Sequence, residues 1–211
     1  MPDHRRLLLG KSRRSLLRLA PAALAFVIAP GAHGETGVKA GSVEEVKGEA
    51  FAEKDRVKRN LEREAPLFIH DQVGTGAASR LAVRLGRNTI LRLGEKAQVT
   101  IDRYLVEAGG EINLQSGPIL FDRPASAPKS SLQIRSPFGL IAVRGTRFFA
   151  GPSNDVFGVF VERGSVAVTA AGKRVVVRAG EGTNIARPGA APTAATRWGD
   201  ARIRAALASV S

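Results

Sequence analysis

From Val38 to Ala186 this sequence is built of short apolar runs, many alternating with polar residues and broken about every eight to twelve residues by Gly, Pro, Asn or Ser. An alternation of period two sends successive side chains to opposite sides, which an extended strand does and a helix cannot. The pattern predicts an all-β fold of many short strands, either a β-sandwich of jelly-roll-like kind or a short β-solenoid, with a short C-terminal helix. The clearest strands are Leu81–Leu85, Thr89–Leu93, Gln98–Ile101, Ile112–Leu114, Leu132–Arg135, Val156–Val161, Ser165–Thr169 and Arg174–Arg178. In several of them Arg and Thr alternate with Leu, Val and Ile, so one face is wet and the other is packed.

Turn residues agree. Gly86-Arg-Asn88 joins two alternating runs, Ala108-Gly-Gly110 separates two more, and Arg163-Gly164 and Ala171-Gly172 stand at hairpin positions. A phosphate-cradling glycine loop needs a helix directly after it, and none follows any of these, so nucleotide binding is not expected. Two segments read differently. Glu53–Glu64 is almost wholly charged with mixed sign, and Val57 and Leu61 stand four apart, which predicts a short helix or a solvated surface excursion. After Ala186 a Pro/Ala-rich linker leads to Asp200, where Ile203, Leu207 and Val210 recur at helical spacing and predict a tail helix that docks on its own domain or, as the alternative, on a partner.

The N-terminus reads as an address. Arg5, Arg6, Lys11, Arg13, Arg14 and Arg18 precede the apolar run Leu19–Ala29, and small residues Ala32 and Gly34 follow two apart, as a cleavable export signal over residues 1–34 would have it. Ser12-Arg-Arg-Ser-Leu-Leu-Arg18 is similar to a twin-arginine signal. The apolar run is well short of the ~20 residues that span a bilayer. The expectation is a periplasmic protein with a β domain over 35–186, a tail over 187–211 and no transmembrane span once the leader is cut. The formal charge of +13 then falls to +8, because the leader holds six basic residues and one acidic one. With 24 Arg to 8 Lys, the excess has the character of base composition and calls for no nucleic acid partner.

The chain has no Cys, which excludes thiolate chemistry and disulfides, and after the leader only His70 is left. No metal site and no cofactor is expected. No catalytic residue is assigned either. His70 and Asp71 adjoin and would point apart on a strand, no serine has a nucleophile-elbow context, and the carboxylates Glu44/Glu45 and Asp102/Glu107 lack an aromatic-lined cleft.

The stretch Ser136-Pro-Phe-Gly-Leu-Ile-Ala-Val-Arg-Gly-Thr-Arg-Phe-Phe149 resembles the hallmark of the FecR domain family, a Pro-x-Gly element followed by Val-Arg-Gly-Thr and an aromatic residue. Val46-Lys-Gly48, Asp71–Leu81, Val161–Val168 and Ala179-Gly-Glu181 resemble its flanking elements in order, so the likeness covers roughly residues 38–186. The motif residues are Pro137, Gly139, Val143, Arg144, Gly145, Thr146 and Phe148. Arg144 is read as a structural clamp, with Glu162 and Glu181 as candidate partners, or as a contact to an anionic ligand. The resemblance implies a bacterial envelope protein of the kind best known from regulators that pass an outer-membrane signal to a cytoplasmic sigma factor. Only about eighteen residues precede the apolar run, so the expectation is a free-standing module, not a complete regulator. Its function would be non-catalytic binding or scaffolding of another envelope protein. The alternative is binding of lipopolysaccharide or cell-wall glycan through Arg80, Arg84, Arg92 and Arg103.

Overall fold

The structure, a computed structural model, describes residues 37–105, 109–127 and 132–211, with the backbone alone for 103–105. The export signal expected over 1–34 and the carboxylate of Glu107 lie outside the described residues. The first elements are β1 (Lys39–Lys47), β2 (Ala50–Lys54), β3 (Val57–Asn60), β4 (Pro66–Phe68), β5 (Gln72–Thr75), β6 (Arg80–Leu85) and β7 (Thr89–Leu93). The centre adds β8 (Gln98–Leu105), β9 (Gly109–Ser116), β10 (Ile119–Asp122), β11 (Leu132–Ser136), β12 (Gly139–Val143) and β13 (Arg147–Ser153). Then come β14 (Val156–Arg163), β15 (Ser165–Ala170), β16 (Lys173–Arg178), β17 (Glu181–Ile185), β18 (Thr196–Arg197) and α1 (Asp200–Ala208).

The described strands form two nine-stranded sheets, β18-β17-β14-β13-β10-β7-β6-β1-β4 and β16-β15-β12-β11-β9-β8-β5-β2-β3. The chain lays down one or two strands in one sheet, crosses to the other, and so advances along both together. β9 and β11 pair in parallel, and neighbours elsewhere are antiparallel. The fold is a β-sandwich. Its filling is the apolar half of each alternating strand: Val83, Leu85, Leu91 and Leu93 from the first sheet, Val99, Ile101, Ile112, Leu114 and Ile134 from the second, all with essentially no solvent exposure. Each such side chain contributes roughly 1.5–3 kcal/mol on burial.

Two local expectations are corrected. The charged segment Glu53–Glu64 is no helix. Lys54 and Val57 pair across Asp55 and Arg56, both at positive φ (52° and 64°), so β2 and β3 form a two-residue hairpin at one edge of the second sheet. Arg59 holds that hairpin to the domain through the buried Asp71, whose carboxylate accepts its Nη1 at 3.1 Å and Nη2 at 2.6 Å, together with the Phe68 N–H at 2.7 Å. A mostly charged run, with only Val57 and Leu61 apolar, lacks the alternation that would have marked it as a strand. Arg163-Gly164, in turn, is no hairpin but a corner, since β14 lies in the first sheet and β15 in the second.

β10, β13 and β14 are apolar on both faces, and on the side away from the sandwich filling they present Leu120, Phe149 and Phe160. Trp198, Ala206 and Val210 cover these side chains, with Ile203 and Leu207 packed alongside. The Trp198 and Phe160 rings stack at 5.3 Å, and the Arg202 guanidinium lies 3.6 Å over the indole while bonding Ser153 and Asn184.

Candidate recognition site

The motif stretch runs from one end of the second sheet into the middle of the first. Ser136 and Gly139 pair across Pro137 and Phe138, and the Ser136 hydroxyl accepts the Phe138 N–H at 3.2 Å while donating to the Gly139 carbonyl at 3.1 Å. Pro137 is exposed at the tip, whereas the Phe138 ring stacks on Phe157 at 4.4 Å. β12 then carries Val143 into the interior. A bend follows at Arg144–Thr146, where Gly145 adopts φ +60°, a left-handed conformation costly for other residues. Beyond it Thr146 and Phe148 are wholly buried, and the Phe148 ring packs against Phe121 at 5.5 Å.

The clamp of this motif is Arg147. Its Nε donates to Glu162 at 2.6 Å and its Nη1 to Asp122 at 2.8 Å, and Arg163 Nη2 reaches the other Asp122 oxygen at 2.7 Å. Three strands, β10, β13 and β14, are thereby laced at one end. Partial burial by itself would raise the Asp122 pKa, but hydrogen bonds and charge from Arg147 and Arg163 outweigh it and hold the carboxyl below its ordinary value. A depressed folded-state pKa contributes stability above the unfolded value that is lost as pH falls through the folded one. Asp122→Asn is therefore expected to cost about 1 kcal/mol at pH 7, an advantage of the wild type that fades below about pH 4. Urea unfolding of both proteins from pH 7 to pH 2 checks this, with the two curves converging in acid.

Arg144 is exposed, and neither carboxylate that the sequence offered it is its partner: Glu162 holds Arg147, and Glu181 accepts the backbone N–H of Arg178 at 3.0 Å. The glycine bend breaks the two-residue period, so Arg144 turns outward and Arg147, three residues on, takes the clamp position. Arg144→Ala should leave thermal unfolding within about 0.5 kcal/mol of the wild type, as at other exposed positions. A larger loss in a calorimetric scan would restore the clamp role.

Of the strand arginines, Arg80, Arg84 and Arg92 do share the outer side of β6 and β7 in the first sheet. Arg84 pairs with Glu44, Arg92 lies 3.9 Å from Glu45, and Arg80 Nη1 donates to its neighbour's carbonyl, Ser79 O, at 2.8 Å. Arg103 is not with them. It belongs to β8 in the second sheet, opposite Glu111, because the chain crosses over after β7, and its side chain lies outside the described residues. Among the described residues no three His, Asp or Glu side chains are grouped so as to hold a metal ion. Sequence reasoning missed the Arg147–Asp122–Arg163 lacing and the Arg59–Asp71 pair. The first joins three strands and the second ties β3 to the turn before β5, and only the place of Arg147 within the stretch Ser136–Phe149 gave any hint.

Fold and site together define an all-β, two-sheet module whose one end carries an exposed arginine on a glycine bend. The family described as FecR protein matches residues 71–167, from the turn before β5 into β15, and the chain carries a FecR domain there. Two crystal structures of a candidate anti-sigma factor from Parabacteroides distasonis ATCC 8503, at 1.65 and 2.50 Å resolution, share the fold at 12% identity and a TM-score of 0.54. The likeness covers 64% of this chain and 64% and 63% of theirs, so this chain spans less than two thirds of their length, and at that identity it is a likeness of fold alone. No curated protein sequence matches the chain.

Proposed function

We propose that this chain is a non-catalytic binding or scaffold module of the bacterial periplasm that engages another envelope protein in signalling or assembly. The match of residues 71–167 to the FecR family carries the reading. The solved relatives, described as an anti-sigma factor, add support for a regulatory role exercised through protein contacts. Arg144 is the residue we assign to recognition: it is exposed on a bend whose neighbours Val143, Thr146 and Phe148 are buried. No helix of the described residues is long and apolar enough to cross a membrane, and placement in the periplasm rests on the leader over 1–34. The polyanion reading is the weaker one, since Arg84 and Arg92 already face Glu44 and Glu45.

Affinity capture from envelope extract at low and at high salt tests this, using the protein expressed with its own N-terminus and its Arg144→Ala variant. A specific protein held at high salt by the wild type and released by Arg144→Ala is the expected result. Retention of nothing but salt-labile glycan or lipopolysaccharide would overturn it.

A further inference from the structure

The edges of the two sheets are not equivalent. β4 is three residues long and starts with Pro66, and β18 has only two residues. At the β3 edge Lys58, though exposed, lies 3.8 Å over the Phe51 ring and Arg59 is bound to Asp71, so both cations already have partners within the chain. β16 differs. Its six residues pair with β15 in unbroken register, from Ser165 opposite Arg178 to Ala170 opposite Lys173, and its other side is a sheet edge.

That edge has a defined chemistry. The Arg178 N–H points away from β15, because it donates to the Glu181 carboxylate at 3.0 Å. By the alternation of an antiparallel ladder, the N–H groups of Val176 and Arg174 point the same way. The side chains of Arg174, Val176 and Arg178 then share one face, all exposed, with Val176 at 43%. Lys173, Arg174 and Arg178 have no acidic side-chain partner among the described residues. The one outward donor with a visible acceptor has a carboxylate on it.

We propose that β16 is a docking edge that takes an extended acidic segment of a partner protein by strand addition, with glutamate or aspartate opposite Arg174 and Arg178 and an apolar residue opposite Val176. A second copy of this chain is disfavoured, since two β16 edges would set arginines against arginines. Register also ties the edge to Arg144. Val143 lies opposite Val166, and Val166 opposite Val177, so Arg144 follows at the end of the sheet that carries Arg178. The proposal rests on the binding-module reading and gives that module its surface.

The probe is a capped Glu-Val-Val-Val-Glu-Glu peptide, with Lys-Val-Val-Val-Lys-Lys as its counterpart, titrated into the protein by calorimetry. The acidic peptide should bind and the basic one should not. Val176→Pro removes an outward donor and leaves the ladder to β15 intact, so it should weaken the acidic peptide about tenfold with an unchanged circular dichroism spectrum. Should that variant lose its fold, the Arg174→Glu/Arg178→Glu pair decides instead, and its preference should pass to the basic peptide. No binding of the acidic peptide by the wild type, undiminished binding by folded Val176→Pro, or an unmoved preference in the charge-reversed protein would each overturn the proposal. In the envelope capture, a partner held equally by wild type and Val176→Pro sinks the docking edge and spares the module, whereas capture of no protein at all sinks the module.

Discussion

Trp198→Ala is expected to lower the stability of the protein by about 3–5 kcal/mol, the cost of emptying a buried indole site, and to release α1 from the sheet. Trp198 is 7% exposed and fills the space between Phe160 and the Arg202 guanidinium. Its ring lies directly on the backbone of β14 and β17, where a Cβ added to Gly182 would collide with the indole and one on Gly158 would come within 2.7 Å of it. No smaller residue spans from those glycines to Arg202. A nine-residue helix does not hold its shape in water alone, so α1 should melt once its anchor is gone. Hydrogen exchange should speed up through 200–208, and a dye that reports exposed apolar surface should bind over Leu120, Phe149 and Phe160. Unchanged exchange in α1 would show that Ala206, Val210 and Arg202 dock the helix without the indole.

Phe148→Ala should cost a similar about 3–5 kcal/mol but leave α1 in place. Phe148 points into the sandwich against Phe121, whereas its neighbour Phe149 points the other way, toward Trp198. The two variants therefore separate the filling of the sandwich from the cover on its outside. A lower urea midpoint with an unchanged slope, and slow exchange retained over 200–208, is the expected pair of observations for Phe148→Ala. Fast exchange in α1 would mean that the two apolar clusters act as one unit.

The strands with alternating patterns were legible to within a residue or two at most ends. Thr89–Leu93 is β7, and the stretches read at Leu81, Val156, Ser165 and Arg174 are the bodies of β6, β14, β15 and β16. Each has one apolar face and one polar face, or is apolar on both. β2 and β3 were illegible for the opposite reason. Lys58 and Arg59 find their partners in Phe51 of β2 and in Asp71 of the turn before β5, contacts between separate segments that no local period encodes. The motif stretch could be located in the sequence, but which of its arginines turns inward could not be read. That choice is made at Gly145, where φ is +60° and the alternation of faces is reset.

The stepwise crossing of the chain between sheets makes the order of strands in space follow their order in the sequence from β5 onward. From β5 onward each strand or pair of strands joins the growing edge left by those before it, so the sandwich can be extended in chain order toward β17. The aromatic outer face of β10, β13 and β14 is complete long before residues 198–210 exist to cover it. A chain stopped short of Trp198 would form the layered body yet display Leu120, Phe149 and Phe160 to any protease or chaperone that samples apolar surface. The stretch from Trp198 to Val210 thus acts as a removable cover, deciding whether that aromatic face is hidden or displayed without altering the body beneath it.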